Sequence, residues 1–253
     1  MKLPAPAKLT LSLRVTGRRA DGFHLIDAEM VTLDLADELT FVGSPPPASG
    51  GEPPPPSRLE VGGPYAQGVP SGSDNLVLRA LAAVGRRAHV RLHKRIPAGA
   101  GLGGGSADAA AVLRWAGCTD LAVAAALGAD VAFCVVGGRA RVRGIGEEVE
   151  PLPHLDRAFT LLMPDLIVRT PAVYQAWDNL GAPEGPNGND LEPAALVVAP
   201  ELARWRDRLG DATGSVPRLA GSGSTWFVEG AHPGEGRVVV RTAAPGATAA
   251  PGP

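Results

Sequence analysis

Pro97-Ala-Gly-Ala-Gly-Leu-Gly-Gly-Gly-Ser-Ala-Asp-Ala-Ala110 decides how this chain is read. Just before it, Ala88, Val90 and Leu92 alternate with His89, Arg91 and His93, the period of a half-buried strand. Just after it, Ala107 to Trp115 is an alanine-rich helix pattern. Glycines at 99, 101, 103, 104 and 105 remove Cβ atoms, so backbone amides can turn inward around an anion. Ser106 is expected to cap the helix, whose positive end then faces the loop. Strand, glycine loop and helix together predict a phosphate cradle. A bare glycine linker explains a run such as Gly103-Gly-Gly105 but not its place between these two elements.

Two other phosphate loops fail on the residues. A Walker A loop needs Gly-Lys-Ser/Thr, and no lysine in the chain follows a glycine. A dinucleotide fingerprint belongs to the first strand of a βαβ unit, with an acidic partner about 20 residues on. This loop arrives after some 96 residues, and Asp120 follows a short helix without a clear second strand.

Outward from the loop, Leu9, Leu11, Leu13 and Val15 alternate with polar residues as a strand. Residues 17–22 supply turn chemistry, and apolar residues resume from Phe23 to Leu35. The proline-rich stretch 44–57 can sustain neither ladder nor helix and predicts a surface insertion. Asp74-Asn75-Leu76 opens a helix. Further helices are expected at residues 121–127, from Pro171 and from Pro200, and strands at 140–143, 159–163 and 225–228, the last closing the second half. A boundary near Pro151-Leu-Pro153 divides the chain into residues 1–152 and 153–242, and residues 243–253, built of Ala, Pro, Gly and one Thr, predict a disordered tail.

With 253 residues the chain can bury its core without disulfides or a structural metal. Cys118 and Cys134 lack zinc-ligand spacing and fit a packing role in a reducing compartment. A net charge of −2 gives no basic stripe for nucleic acid. No stretch of about 18 apolar residues is present, so no membrane partner is expected and the location is expected to be cytoplasmic, as a monomer or weak homodimer.

Asp130, in Leu127-Gly-Ala-Asp-Val-Ala-Phe133, is an acidic residue set among apolar ones, and Lys8 at a strand start is its natural partner. Taken alone, Asp130 reads equally as a cap or turn residue and Lys8 as a solvated strand end. The string Pro-x-x-x-Gly-Leu-Gly-Gly-Gly-Ser-Ala, with Pro6-Ala-Lys-Leu9 before it and Leu219-Ala-Gly-Ser-Gly-Ser-Thr225 after it, resembles the three ordered motifs of the GHMP kinases.

That resemblance implies an α+β fold, with an N-terminal domain like ribosomal protein S5 domain 2 and a ferredoxin-like C-terminal domain. It implies ATP with Mg2+, held by Pro97, Gly99, Gly101, Leu102, Gly103, Gly104, Gly105, Ser106 and Ala107, with Ser106 a candidate magnesium ligand. It makes Lys8 and Asp130 the catalytic pair. Arg18-Arg-Ala-Asp-Gly-Phe-His24 and Thr170-Pro-Ala-Val-Tyr174 resemble segments of the diphosphocytidyl-methylerythritol kinases within that superfamily. There, two aromatic rings and a histidine hold cytosine, which casts Phe23, His24, Thr170 and Tyr174 as substrate residues, with Thr10, Gly221, Ser222 and Gly223 beside them. Homoserine- or mevalonate-type alcohols, and a non-catalytic nucleotide binder, are the alternatives. Asn75 and Lys94 match positions on the adenosine side, although Asn75 also serves as a cap and Lys94 as a solvated cation. Asn189-Asp-Leu-Glu192 recurs in the family and is equally explained by capping before Pro193. Three departures stand out: Thr10 for asparagine, Ala132 for proline, and about ten residues fewer between Trp115 and Gly128, which predicts a looser nucleotide loop.

Overall fold

The structure is a computed structural model that describes residues 1–42 and 56–245. Most of the proline-rich stretch 44–57 and the end of the tail lie outside the described residues. Two sheets organise the chain. The first opens with β1 (Lys2–Arg18) and β2 (His24–Val42), a hairpin longer at both ends than the alternation from Leu9 to Val15 predicts. Register shifts at Pro6/Lys8, Thr10/Ser12 and Val15/Gly17 hide its ends from a strict period of two. β3 (Arg58–Gly62) runs parallel to β4 (His89–His93), and β5 (Arg139–Gly144) with β6 (Glu148–Leu152) completes the sheet in the order β3-β4-β2-β5-β6, with β1 on β2. Pro151 stands near the end of β6, an edge strand where a missing amide costs nothing.

Four helices follow from the first half: α1 (Leu76–Ala83), α2 (Gly104–Trp115), α3 (Leu121–Leu127) and α4 (Val131–Val136). α2 is the central one. Its residues 107–113 are all buried, five of them alanine or valine, so the helix packs closely against α1, α4 and β1. The shortened connection after Trp115 therefore does not loosen what precedes it. Phe41 and Trp115 stack with centroids 4.5 Å apart, and Arg114 donates to the carbonyls of Pro4 and Cys134, fixing the end of α2 to β1 and α4.

The second sheet, β10-β7-β9-β8, comprises β7 (Ala158–Leu162), β8 (Arg218–Leu219), β9 (Trp226–Glu229) and β10 (Arg237–Arg241). The expected closing strand is β9, but β10 follows it and pairs with β7. α5 (Thr170–Asn179), α6 (Glu192–Val198) and α7 (Leu202–Thr213) accompany this sheet. Trp226, Phe227 and Phe159 are fully buried in it. The start of the expected disordered tail is placed: Ala243 donates to the Thr32 carbonyl and Pro245 packs over Gly138, so the chain returns to β2. One core, of Leu9, Leu33, Leu102, Phe159, Phe227 and Val240 among others, joins the two sheets.

Candidate functional site

A cleft of about 640 Å³ opens where the glycine loop, the start of β2, the start of α5 and the Leu219–Thr225 segment converge. The first intrahelical bond of α2 runs from the Ala107 amide to the Gly103 carbonyl, so the amides of Gly104, Gly105 and Ser106 precede any partner inside the helix. They lie at the positive end of a 12-residue helix, the arrangement that receives phosphate. Gly103, with φ of 67°, is the cap residue, and Ser106 sits inside the first turn with its side chain facing the cleft. Serine capping is thus corrected: a left-handed glycine turns the chain, which leaves the Ser106 hydroxyl for a ligand.

The glycines are required by close approach. A Cβ on Gly103 would stand 2.7 Å from Lys8 Cγ, and one on Gly101 would meet the carbonyls of Ala220 and Gly223. The loop therefore interlocks with the third glycine segment, and the Thr225 amide donates to the Ala100 carbonyl across that junction. The Lys8 amide donates to the Leu102 carbonyl at 3.0 Å, binding β1 to the same loop.

Lys8 lies under this loop with only 6% of its side chain exposed, and its Nζ reaches Asp130 Oδ2 at 3.4 Å and donates to Thr10 Oγ1 at 3.0 Å. Thr10, where the family pattern has asparagine, still places an acceptor on the ammonium. Asp130 precedes α4 but its side chain caps nothing, so the carboxylate is turned to Lys8 and the cleft, about a third exposed. Ala132, where proline is usual, is fully buried in α4, which starts at the next residue after Asp130 without it. Burial, with the Asp130 charge nearby, pushes the Cys134 thiol up to about 12, so this cysteine stays an inert packing group.

On the opposite wall, Phe23 is 59% exposed at the cleft mouth. His24 stacks on Tyr174 with centroids 4.6 Å apart, meets Trp177 edge-on at 5.6 Å, and bonds Asp178 Oδ1 through Nε2 at 2.8 Å. Burial pushes the Tyr174 phenol upward, keeping it a neutral donor. Thr170 and Ser222 hydroxyls share a hydrogen bond of 2.9 Å, joining α5 to the third glycine segment.

Lys94 lies behind the cleft wall, not in it. Lys94 is 2% exposed, its ammonium pairs with Asp37 and, at 2.8 Å, with Asp108, and it does not line the cleft. It is not solvated, and its Nζ lies beneath the loop, 3.2 Å from where a Cβ on Gly104 would stand. Asp37 also accepts from the Ile96 amide at 2.9 Å, so the cluster anchors the strand that delivers the glycine loop. Two carboxylates share one ammonium. Desolvation raises the Asp108 carboxyl to about 7, while the paired carboxylates hold Lys94 above its usual range. Asn75 is the cap of α1, accepting from the Val77 amide and donating to the Pro70 carbonyl; it too lies off the cleft, although Leu76 beside it lines the wall. Leu102, Ala107 and Gly223 are likewise behind the lining, packed under it.

Residues 75–138 match the family of GHMP kinases N terminal domain. A 4-diphosphocytidyl-2-C-methyl-D-erythritol kinase of Paracoccus denitrificans is 41% identical over 242 residues, covering 88% of this chain and 84% of its own. The chain belongs to the 4-diphosphocytidyl-2-C-methyl-D-erythritol kinase family. Another of these kinases, from Dinoroseobacter shibae, is 38% identical over 248 residues, covering 88% of this chain and 83% of its own. A crystal structure of 4-(cytidine 5'-diphospho)-2C-methyl-D-erythritol kinase superposes with a TM-score of 0.71 at 32% identity, covering 96% of this chain and 99% of that one. A homoserine kinase from Cytophaga hutchinsonii shares the GHMP kinase fold, with a TM-score of 0.61 at 19% identity over 97% of this chain and 95% of that one.

Within this kinase family fold, two residues that sequence reasoning passed over as caps have other duties. Asn189, 3% exposed, donates to the carbonyls of Leu219 and Gly221 at 2.9 and 2.8 Å, holding the third glycine segment in shape. Asp190 pairs with Arg14 and accepts from the Val15 amide at 2.9 Å, fastening β1 to the second half. The recurrence of Asn189-Asp190 was the available signal. Asp178 was missed outright, since nothing at one turn beyond Tyr174 marks it in the sequence.

Proposed function

We propose that this cleft transfers the γ-phosphoryl group of ATP to the 2-hydroxyl of 4-diphosphocytidyl-2-C-methyl-D-erythritol, giving the 2-phosphate and ADP, the kinase step of the non-mevalonate isoprenoid pathway. The carrying observation is the Lys8–Asp130 pair, 3.4 Å apart beside the open amides of α2.

Phosphoryl transfer asks for positioning and charge stabilisation rather than covalent chemistry. The α2 amides hold the phosphates and hold them still. Asp130, beside an ammonium and partly open to the cleft, accepts the proton of the attacking hydroxyl. Lys8, desolvated under the loop, faces the oxygens on which charge grows. Phe23, His24 and Tyr174 take the cytosine ring and its edge, with Thr170 and Ser222 lining the path between base and phosphoryl acceptor. Among the described residues no group of three His, Cys, Asp or Glu could hold a metal ion. The donor set therefore fits a magnesium ion carried mainly by the nucleotide's oxygens with the Ser106 hydroxyl added, and bound there it would neutralise phosphate charge.

Both cysteines are free, and among the described residues no helix is long and apolar enough to cross a membrane. The test is ADP release with a panel of alcohols that includes homoserine, mevalonate and the cytidylylated alcohol. Turnover confined to the last is expected. Equal turnover of another alcohol, or ATP binding with no turnover of any, would overturn the assignment.

A further inference from the structure

Asp178 takes no part in the chemistry proposed above, yet it touches His24, the side chain proposed to read the base edge. Asp178 lies one turn after Tyr174 on α5, so both project toward the start of β2. Tyr174 covers the face of His24, Trp177 its edge, and Asp178 Oδ1 takes Nε2 at 2.8 Å. Only 9% of the His24 side chain is exposed, so the ring has no room to turn over. Among the described residues Nδ1 makes no hydrogen bond, nor is it a buried unpaired atom, which leaves it open to the cleft that His24 lines.

A carboxylate accepts and never donates, so Nε2 must carry the hydrogen of that bond. In the neutral ring Nδ1 then holds a lone pair and can only accept. Arg18, whose Nη1 stands 3.4 Å from Asp178 Oδ2, supplies the cation that this carboxylate needs, so the contact to His24 serves as an orienting hydrogen bond. We infer that Asp178 is a specificity-determining residue: by fixing the tautomer of His24 it makes the pocket accept from a pyrimidine that presents an exocyclic amino group and reject one that presents a carbonyl at the same place. The inference rests on the cytidylylated substrate proposed above and adds the reason a uridylylated analogue is refused. A site built around a fixed acceptor discriminates strongly, because the wrong base leaves two lone pairs facing each other.

The experiment compares kcat/KM for the cytidylylated alcohol with that for the same alcohol carrying a uridine head, in the wild type and in Asp178→Asn and Asp178→Ala. Asparagine can donate or accept and alanine does neither, so both release the tautomer. The expected result is a cytidine-over-uridine preference that drops by about tenfold or more in each variant, through the KM of the alcohol, while the KM of ATP holds. A merely structural role would raise both alcohols' KM alike, and an unchanged ratio overturns the inference. If the wild type phosphorylates neither alcohol, it is the substrate assignment that has failed. Nitrogen NMR of the wild-type imidazole gives a readout independent of the variants, with the His24 signals assigned by their loss in His24→Gln: hydrogen on Nε2 and none on Nδ1 is required, and hydrogen on Nδ1, whether alone or in the doubly protonated ring, contradicts the inference.

Discussion

Lys8 and Lys94 are two of only three lysines in the chain, both nearly fully buried, both beneath the same glycine loop, and they do opposite things. Lys94 faces Asp37 and Asp108, which are 1% and 2% exposed, so its charge is spent inside the protein on anchoring the strand before the loop. Lys8 faces a single carboxylate that is a third open to the cleft, and its remaining contact is the neutral hydroxyl of Thr10. A buried ammonium with two buried acids is a structural part. A buried ammonium with one half-open acid retains charge for a ligand, and it is the surroundings, not the residue type, that separate the two.

That contrast can be broken most severely at Lys94. Lys94→Met leaves two carboxylates in the interior with no cation, and the loss expected is about 3–5 kcal/mol of stability, read as a lower urea midpoint. Lys8→Met removes a cation whose carboxylate partner can still meet water, so it is expected to fold with a loss of no more than about 1 kcal/mol. Equal destabilisation by the two would end the distinction.

On the reactive side, Asp130→Asn is expected to leave ATP affinity nearly intact and to lower kcat at least about a hundredfold. Near-normal turnover would remove Asp130 from the mechanism. Phe23→Ala tests whether the cleft is divided as described: loss of one stacking face should raise the KM of the alcohol about tenfold and leave that of ATP alone.

A last effect concerns pH. The Asp108 carboxyl titrates near 7 in the folded protein against 3.8 unfolded, so between these values the folded state holds more protons and stability falls as pH rises. Asp108→Asn keeps a partner for Lys94 and removes the surplus acid. It should flatten this decline, seen as a Tm that varies less between pH 4 and 7 than that of the wild type. An unchanged decline in the variant would mean that Asp108 is not the group that holds the proton.

The glycine loop was legible because its physics is local. Glycines at 99, 101 and 103 occupy the left-handed backbone region, and the strand and helix that flank them are periodic over several residues. What escaped depends on pairings across the chain. Asp37 and Lys94 are 57 residues apart, and their pairing is not visible until the sheet brings them together. β3, β6, β8, β10 and α4 were not foreseen, being short or neighboured by proline and glycine. His24 was legible only through resemblance, and its contact with Asp178 spans 154 residues. Asn75 shows the reverse case: the capping explanation, available from the sequence alone, is what the structure contains.

The most direct test of the account is a double-mutant cycle on Lys8 and Asp130, with kcat measured for the wild type, Lys8→Met, Asp130→Asn and the double variant. Groups that serve one transition state as a unit lose little more together than the worse one loses alone. The account predicts that the double variant is no slower than the poorer single variant by more than a few-fold. If the two losses instead multiply, or if either single variant turns over at nearly the wild-type rate, the pair does not do the chemistry assigned to it.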